Sequence, residues 1–532
     1  MTTTAAPPPP STFAPLRKAL FRSLWLATIA SNIGTWMQNV GAGWLMTSLS
    51  PSPTMVALVS AASNLPMFLL ALPAGALADV MDRRRVLIFT QSWMFLCAAA
   101  LGACTALGVM NAWGLLFLTA ALGVGAALNA PAWQAATPEM VAPEELPAAI
   151  SLNSAGFNLS RAIGPALGGL VVAAAGPAAN FALNALSFLG VIFVLVNWRR
   201  ERKSSLLPAE RFIGAMKTGA RYVRHAPEMH AVLVRTSAFA ISATALWALL
   251  PLVARTELKM GPLGYGVLLG CLGVGALGGA LVVPRLRAKV RTDLILNVAT
   301  ALFAVATLAL AFLQNIVLVC AALLLGGVAW LAMLSSLNIT AQTSIPAWVR
   351  ARALSVYLLI FFGSMTLGSA LWGAVAERVG IPHAFEISAA GLLLSLALAR
   401  PFPLHDTAMH KLVPSMHWPE PAVVAEVPME GAPVLVTVEY CINPARAKEF
   451  ASAMQSLRRH RLRDGAMRWG LFSDLAEPGR YLESFIVESW AEHLRQHERA
   501  TISDREAEET AIAFHTGAEP PSVRHFIAEL PV

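Results

Sequence analysis

The sequence predicts an all-α polytopic membrane protein of about 12 transmembrane helices in two six-helix halves, followed by a C-terminal α+β domain. Three observations carry this prediction. Of the 532 residues, 56% are hydrophobic and only 13% are charged, a balance that a water-soluble fold of this size would reach only with large exposed apolar patches. Apolar runs of membrane-crossing length alternate with short loops up to about residue 400 and then stop. The two stretches before that point also match each other at one offset of 204 positions. GPALGG at 164–169 falls on GSALWG at 368–373, Gly75-Ala-Leu falls on Gly279-Ala-Leu, and Arg83 falls on Arg287.

The elements follow in chain order. Residues 1–20, with their PPPP run, lack the apolar core and cleavage site of a secretory signal and are expected to form a disordered tail. The N-terminal half, 21–198, holds spans near 23–48, 54–79, 86–108, 112–135, 146–175 and 179–198. A central loop covers 199–230. The C-terminal half, 231–400, holds spans near 231–254, 263–284, 292–313, 315–338, 351–376 and 383–400. A proline-rich linker at 401–431 leads to the soluble domain at 432–532.

Lys and Arg set the expected orientation. Arg17, Lys18, Arg22, Arg83, Arg84, Arg85, Arg199, Arg200, Arg202, Lys203, Arg285, Arg287, Lys289, Arg350 and Arg352 all fall on one side of the spans, while loops such as SLSPSPT, GVMNAWG and AAGPAAN are uncharged. By the positive-inside rule both termini and the central loop of this multi-pass protein are expected to be cytoplasmic. The same distribution explains the net charge of +8 without nucleic acid. Residues 432–532 carry 12 basic and 15 acidic side chains, leaving 27 and 16 of the chain's 39 and 31 to the membrane part. The five cysteines show no CxxC or metal-ligand spacing, so they read as small hydrophobes. No metal, cofactor or catalytic residue is implied, and the absence of a Walker loop argues against ATP as the direct energy source.

Two motifs carry mechanism. The stretch GALADVMDRRRVL, 75–87, ends a span with Asp79 beside a basic cluster, and a carboxylate at that depth needs a cation or a helix N-terminus to hold it. The stretch resembles the signature loop of the major facilitator superfamily, with Gly75, Asp79, Arg83 and Arg84 as gating residues and Asp82 standing where the family has a second glycine. In the fifth span, Gly156, Ser160, Gly164 and Gly168 recur on one face that lets another helix approach, and Pro165 permits a bend. The run Gly164, Pro165, Gly168, Gly169 resembles the superfamily's antiporter motif, which implies export. The superfamily's fourth-helix arginine is replaced by Thr119.

Arg161, Asn158 and Ser154 form a polar line on the fifth span, and a guanidinium at mid-span is expected to face a cavity or a partner. Arg161, Asn158 and Gln134 are the candidates for substrate binding or coupling. Asn32, Gln38, Asn39, Asn64, Asn129, Asn153, Asn184, Asn338 and Gln342 are further intramembrane polar groups, and Trp36, Trp44, Phe68, Trp133, Trp247, Tyr357 and Phe361 offer apolar surface for a substrate or for the membrane interface.

The C-terminal domain reads βαββαβ, with strands at PVLVTVEYCI, AMRWGLFSDL, RYLESFIVES and SVRHFIAEL, and one helix over the run SWAEHLRQHERATISDREAEETAIAFH. It resembles the antibiotic-biosynthesis-monooxygenase-like ferredoxin fold through ESWAEHLRQHER, although Trp490, His493 and His497 read as packing residues and no flavin, haem or metal motif accompanies them. A homodimer through its sheet is expected. Membrane part and tail together resemble the major facilitator branch of enterobactin-exporter-like transmembrane secretion effectors, most specifically through NAPAWQAATPEMVAPEELPAAISLNSAGFNLSRAIGPALGG at 129–169. The resemblance implies a secondary transporter, not an enzyme, that exports a small amphiphilic molecule such as a siderophore or drug in exchange for protons. An uptake permease of the same superfamily and a membrane-anchored enzyme or sensor acting through the tail remain the alternatives.

Overall fold

The computed structural model describes residues 13–198, 212–346, 348–404, 413–418 and 432–529. Much of the expected 1–20 tail, residues 199–211 of the central loop and most of the 401–431 linker lie outside the described residues.

The chain opens with α1 (Ala19–Leu49), α2 (Pro53–Val80), α3 (Arg83–Ala106), α4 (Ala112–Met140) and α5 (Leu146–Asn197). It continues with α6 (Phe212–His225), α7 (Pro227–Leu252), α8 (Pro262–Arg287), α9 (Thr292–Phe312), α10 (Ile316–Thr343), α11 (Arg350–Val379) and α12 (Ile381–Ser395). Among the described residues 10 helices are long and apolar enough to cross a membrane. Two details reconcile that figure with the 12 spans predicted from sequence. At 52 residues α5 is too long for one crossing, and Gly176, at φ 78° and ψ 171°, divides it into two arms. Only glycine takes that φ without strain, and Pro177 then starts the second arm with its φ already set. The other missing span is α1, whose 31 residues suffice in length but whose hydropathy Asn32, Gln38 and Asn39 dilute. Pro165, expected to allow a bend, keeps helical dihedrals; the break falls at Gly176 instead.

The internal repeat has a counterpart in packing. Gly164 lies on α1, where an added Cβ would stand 2.6 Å from Trp36 Cβ, and its repeat mate Gly368 lies on α7, 2.7 Å from Ile241 O. Gly169 of α5 meets Gly266 of α8, and its mate Gly373 of α11 meets Thr54 and Ala57 of α2. Each half thus sends one glycine into its own first helix and the next into the opposite half, as two copies related by a pseudo-two-fold must.

The described residues divide into two compact units, and the second joins the C-terminal domain to α6, the start of α7 and the turn between α10 and α11. In that unit β1 (Val434–Cys441), α13 (Ala447–Asp464), β2 (Ala466–Ser473), β3 (Arg480–Val487), α14 (Trp490–Arg499), α15 (Ile502–Ile512) and β4 (Ser522–Ile527) form an α+β domain. Its antiparallel sheet has the order β2-β3-β1-β4, the split βαβ arrangement. Strand β1 alternates: Val434, Val436, Val438 and Tyr440 are buried under the helices. The single helix expected after β3 is two. Thr501 and Asp504 form a capping box that starts α15 anew, so the helix breaks at Ala500. The domain holds α6 through Arg221, 3.1 Å from Glu492. Tyr222 donates to Ser344 O at 3.2 Å, and Arg499 lies 4.5 Å over the Trp348 ring.

Candidate functional site

A cavity of about 540 Å³ opens inside the first six-helix half, within the usual size range for a drug-sized ligand. The first half of α1 contributes Trp25, Thr28, Ile29, Ser31, Asn32 and Thr35, and the first half of α3 contributes Gln91 and Met94. Asn129, Trp133 and Gln134 come from the second half of α4, Asn153, Ser154, Phe157 and Asn158 from the start of α5, and Phe188 and Val191 from the end of its second arm. Consecutive spans run in opposite directions, so all these segments share the end of the bundle at which α1 begins. We call it the near end.

Local bonds orient several walls. Trp25 Nε1 donates to Leu152 O at 3.0 Å, which sets the indole plane. Asn129 Oδ1 accepts from Thr90 Oγ1 at 2.9 Å and Gln91 Nε2 at 3.3 Å, and Asn158 Nδ2 donates to Ser154 O at 2.9 Å.

At the far end the two halves are fastened by hydrogen bonds. Arg255, in the π-helical turn Val253–Glu257 that follows α7, donates to Thr47 Oγ1 and Ser48 Oγ, each at 2.8 Å, and lies over the Trp44 ring at 5.8 Å. Glu377, near the end of α11, accepts from Ser52 Oγ at 3.1 Å and from the Thr54 hydroxyl. Trp44 stacks on Tyr265 with ring centroids 6.4 Å apart, and Gly43 leaves room for that ring.

Arg161 is buried between these levels and is not part of the cavity wall. Its guanidinium sits 5.9 Å from the Trp36 ring and 5.7 Å from the Trp247 ring, one indole from each half. Among the described residues no carboxylate pairs with it, and its Nε has no acceptor. The expected partner is therefore a pair of π faces, which stabilise a guanidinium without neutralising it. Thr119 is buried, and its hydroxyl has no partner among the described residues.

The sequence pattern of proteins described as transmembrane secretion effectors matches residues 10–531. The chain belongs to the transmembrane secretion effector family. Curated relatives include the staphyloferrin A transporter of Staphylococcus aureus, 24% identical over 67% of this chain and 89% of the relative. The multidrug efflux pump Tap of Mycolicibacterium fortuitum is 26% identical over 69% and 92%, and the enterobactin exporter EntS of Salmonella typhi 26% over 70% and 90%. Among solved structures, a bacterial homologue of the lysosomal transporter Spinster, inward-facing and unoccupied, superposes with TM-score 0.58 at 13% identity, over 73% of this chain and 98% of that one. A bacterial ferroportin homologue, also inward-facing, gives 0.56 at 16% identity, over 72% and 98%. These neighbours share the major facilitator fold.

In this transmembrane secretion effector the signature loop is built as follows. Asp82 is extended, at φ −62° and ψ 115°, and its carboxylate caps α3 by accepting from Arg85 N at 3.1 Å. No left-handed turn forms there, so the family's glycine is not needed. Arg83 reaches Ala135 O at 2.9 Å and Glu139 at 2.7 Å on the last turns of α4. Arg84 donates to Leu195 O at 2.8 Å and Val196 O at 2.6 Å, carbonyls in the last turn of α5, the negative end of that helix. Gly75 has nothing within 4 Å of an added Cβ. The Asp79 side chain lies outside the described residues.

The glycine face of α5 packs on α1: an added Cβ would approach Ile29 Cγ1 to 2.9 Å at Gly156 and Met37 Cα to 2.8 Å at Gly168, while Ser160 donates to Gly156 O at 2.9 Å. Of the three residues singled out for substrate or coupling, Asn158 and Gln134 line the cavity and Arg161 does not. The remaining intramembrane amides separate. Asn32, Asn129 and Asn153 join the cavity wall, whereas Gln38 and Asn184 bond each other, and Asn64 donates to Ser60 O at 2.9 Å. Trp25 and Gln91 were missed by sequence reasoning. An intramembrane amide on the first half of α3 was the available signal for Gln91.

Proposed function

We propose that this protein exports a small amphiphilic molecule, siderophore-like or drug-like, across the bacterial inner membrane by alternating access with proton antiport, its termini and near end facing the cytoplasm. One observation carries the reading. The cavity lies at the near end while Arg255 and Glu377 tie the halves together at the far end, so a ligand is offered access from one side only. The basic residues flanking the near-end turns support a cytoplasmic orientation. The printed roles of Tap as an efflux pump and EntS as an exporter support the direction of transport, and the three relatives' substrates support the breadth of the substrate class. Arg161 and Asp79 are the coupling candidates: Arg161 lies where the two halves meet, and Asp79 stands a few positions before Arg83 and Arg84 in the sequence. The C-terminal domain pairs with a second copy through the outer face of its sheet, where Phe472, Leu482 and Phe526 are exposed.

Inverted vesicles test this directly. Drug or siderophore accumulation should require an imposed pH gradient, and Asp79→Asn should lower the rate per folded molecule. Arg161→Ala should impair transport in protein that still inserts, while Arg161→Lys separates charge from the planar guanidinium. Transport indifferent to the gradient would remove the antiport mechanism, and net accumulation inside intact cells would favour an uptake permease.

A further inference from the structure

The near-end cavity has a chemistry of its own. None of its 20 lining residues is ionisable among the described residues, although six are carboxamides: Asn32, Gln91, Asn129, Gln134, Asn153 and Asn158. Most of their hydrogen-bonding capacity is unused. Asn32, Gln134 and Asn153 make no hydrogen bond to described protein atoms, Asn129 uses its carbonyl oxygen, and Asn158 uses its amide nitrogen. Gln91 is 4% exposed, and its Oε1 is buried without a donor among the described residues. Around them stand the rings of Trp25, Trp133, Phe157 and Phe188.

We infer that the ligand held here is an uncharged amphiphile, a ring-bearing molecule that carries amide, hydroxyl or carbonyl groups and presents no ionised group to this cavity. The inference rests on the export reading and narrows its substrate class. A carboxamide offers donors and an acceptor at once, so it answers neutral polar groups of either sense. A bound anion would need a cluster of donors with positive charge behind them; a bound cation would find no carboxylate here and would have only ring faces and amide oxygens in place of its water. Removing an ion from water into such a wall is opposed by desolvation that nothing here repays. Arg161 does not supply the missing charge, since its guanidinium is held between Trp36 and Trp247. A site of unmet amides also discriminates strongly against a ligand without matching groups, because its buried polar atoms then stay unpaired.

Three probes on one skeleton test this with the full chain in lipid nanodiscs, read by quenching of tryptophan fluorescence. They are chloramphenicol, an uncharged aromatic with an amide and two hydroxyls; its anionic succinate ester; and the cationic amine left when its acyl group is removed. Chloramphenicol should bind at least tenfold more tightly than either ion. Gln91→Leu and Asn129→Leu should each weaken it about tenfold, with Asn64→Leu as the unchanged reference. Gln91→Glu, nearly the same shape, should shift preference toward the amine by tenfold or more. Equal binding of an ionised analogue, or no shift in Gln91→Glu, would overturn the inference, as would failure of all three probes to bind. Efflux of only the ionised analogues in vesicles would also overturn it while leaving export intact. Selective binding without any transport would instead sink the export reading and leave the cavity's chemistry standing.

Discussion

Glu483 of the C-terminal domain is fully buried and serves three donors, Arg461 at 3.2 Å, Trp469 at 2.9 Å and Tyr440 at 3.2 Å. Arg463 likewise bonds both oxygens of Asp464 at 2.8 Å and reaches Asp504, and Arg499 pairs with Glu492 at 2.6 Å. The membrane bundle also holds such a pair, Arg235 with Asp293, but its cavity, far end and centre bury polarity differently, using amides, hydroxyls and an arginine between two indoles. The contrast shows that the contents of the buried site matter as much as depth. In the domain each of these buried charges keeps a permanent partner of opposite sign, so one fixed arrangement serves them. In the proposed export cycle the cavity fills and empties, and a fixed charge there would be stranded in half of each cycle. Neutral groups that bond water and ligand alike avoid that penalty.

The largest test of this contrast is to strand a charge in the domain. Arg461→Met leaves Glu483 buried without its cation and should cost about 3–5 kcal/mol, whereas Arg461→Met with Glu483→Leu should recover most of it. Hydrogen exchange at β1 and β3 in the full chain measures both. Next is pH. Burial depresses His493 to about 3 and His497 and His460 to about 4, from an ordinary value of 6.5, so their neutral forms are the folded ones. Their contribution is present above 6.5 and is lost as pH falls toward 4. Asp464, raised by burial from 3.8 to about 6, opposes them, since its contribution is present below 3.8 and is lost as pH rises through 6. Three groups outweigh one, so exchange protection in the domain should fall between pH 7 and pH 4.5 while that of α4 and α5 stays level; protection that rises would refute the assignment.

In the bundle, Gly168→Leu should cost about 1–3 kcal/mol and lower the yield of folded protein. Gly190→Ala, where an added Cβ meets nothing within 4 Å, should leave the melting midpoint unchanged. Apart from that control, the smallest effect belongs to Glu377→Gln, which keeps the shape but weakens an exposed contact by about 1 kcal/mol. Spin-label distances across the far end should then broaden toward separation, and an unchanged distribution would remove Glu377 from the latch.

Much of this architecture was legible in the sequence because membrane helices announce themselves by length. The expected span at 54–79 is α2, Pro53–Val80, and AAGPAAN marked the break that Gly176 makes. The signal Thr501-x-x-Asp504 was also present in the sequence, although periodicity alone merged α14 with α15. The site was less legible. Asn184 and Asn129 look alike in sequence, yet one is satisfied by Gln38 and the other turns a half-used amide to the cavity. Helical periodicity assigns each to a face and is silent about which faces from α1, α3, α4 and α5 converge. Arg161 illustrates the same limit: its charge is visible, but two indoles from distant helices are not.

Gly169 and Gly266 meet backbone to backbone, and a Cβ added at Gly169 would stand 2.9 Å from Gly266 Cα. No amino acid is smaller than glycine, so mutation at either position can only lengthen the gap between the halves and never shorten it. Evolution therefore has no graded adjustment at this seam. Faster or slower variants of the transporter must arise from the residues that surround it, while these two positions offer selection a choice between keeping glycine and losing the contact.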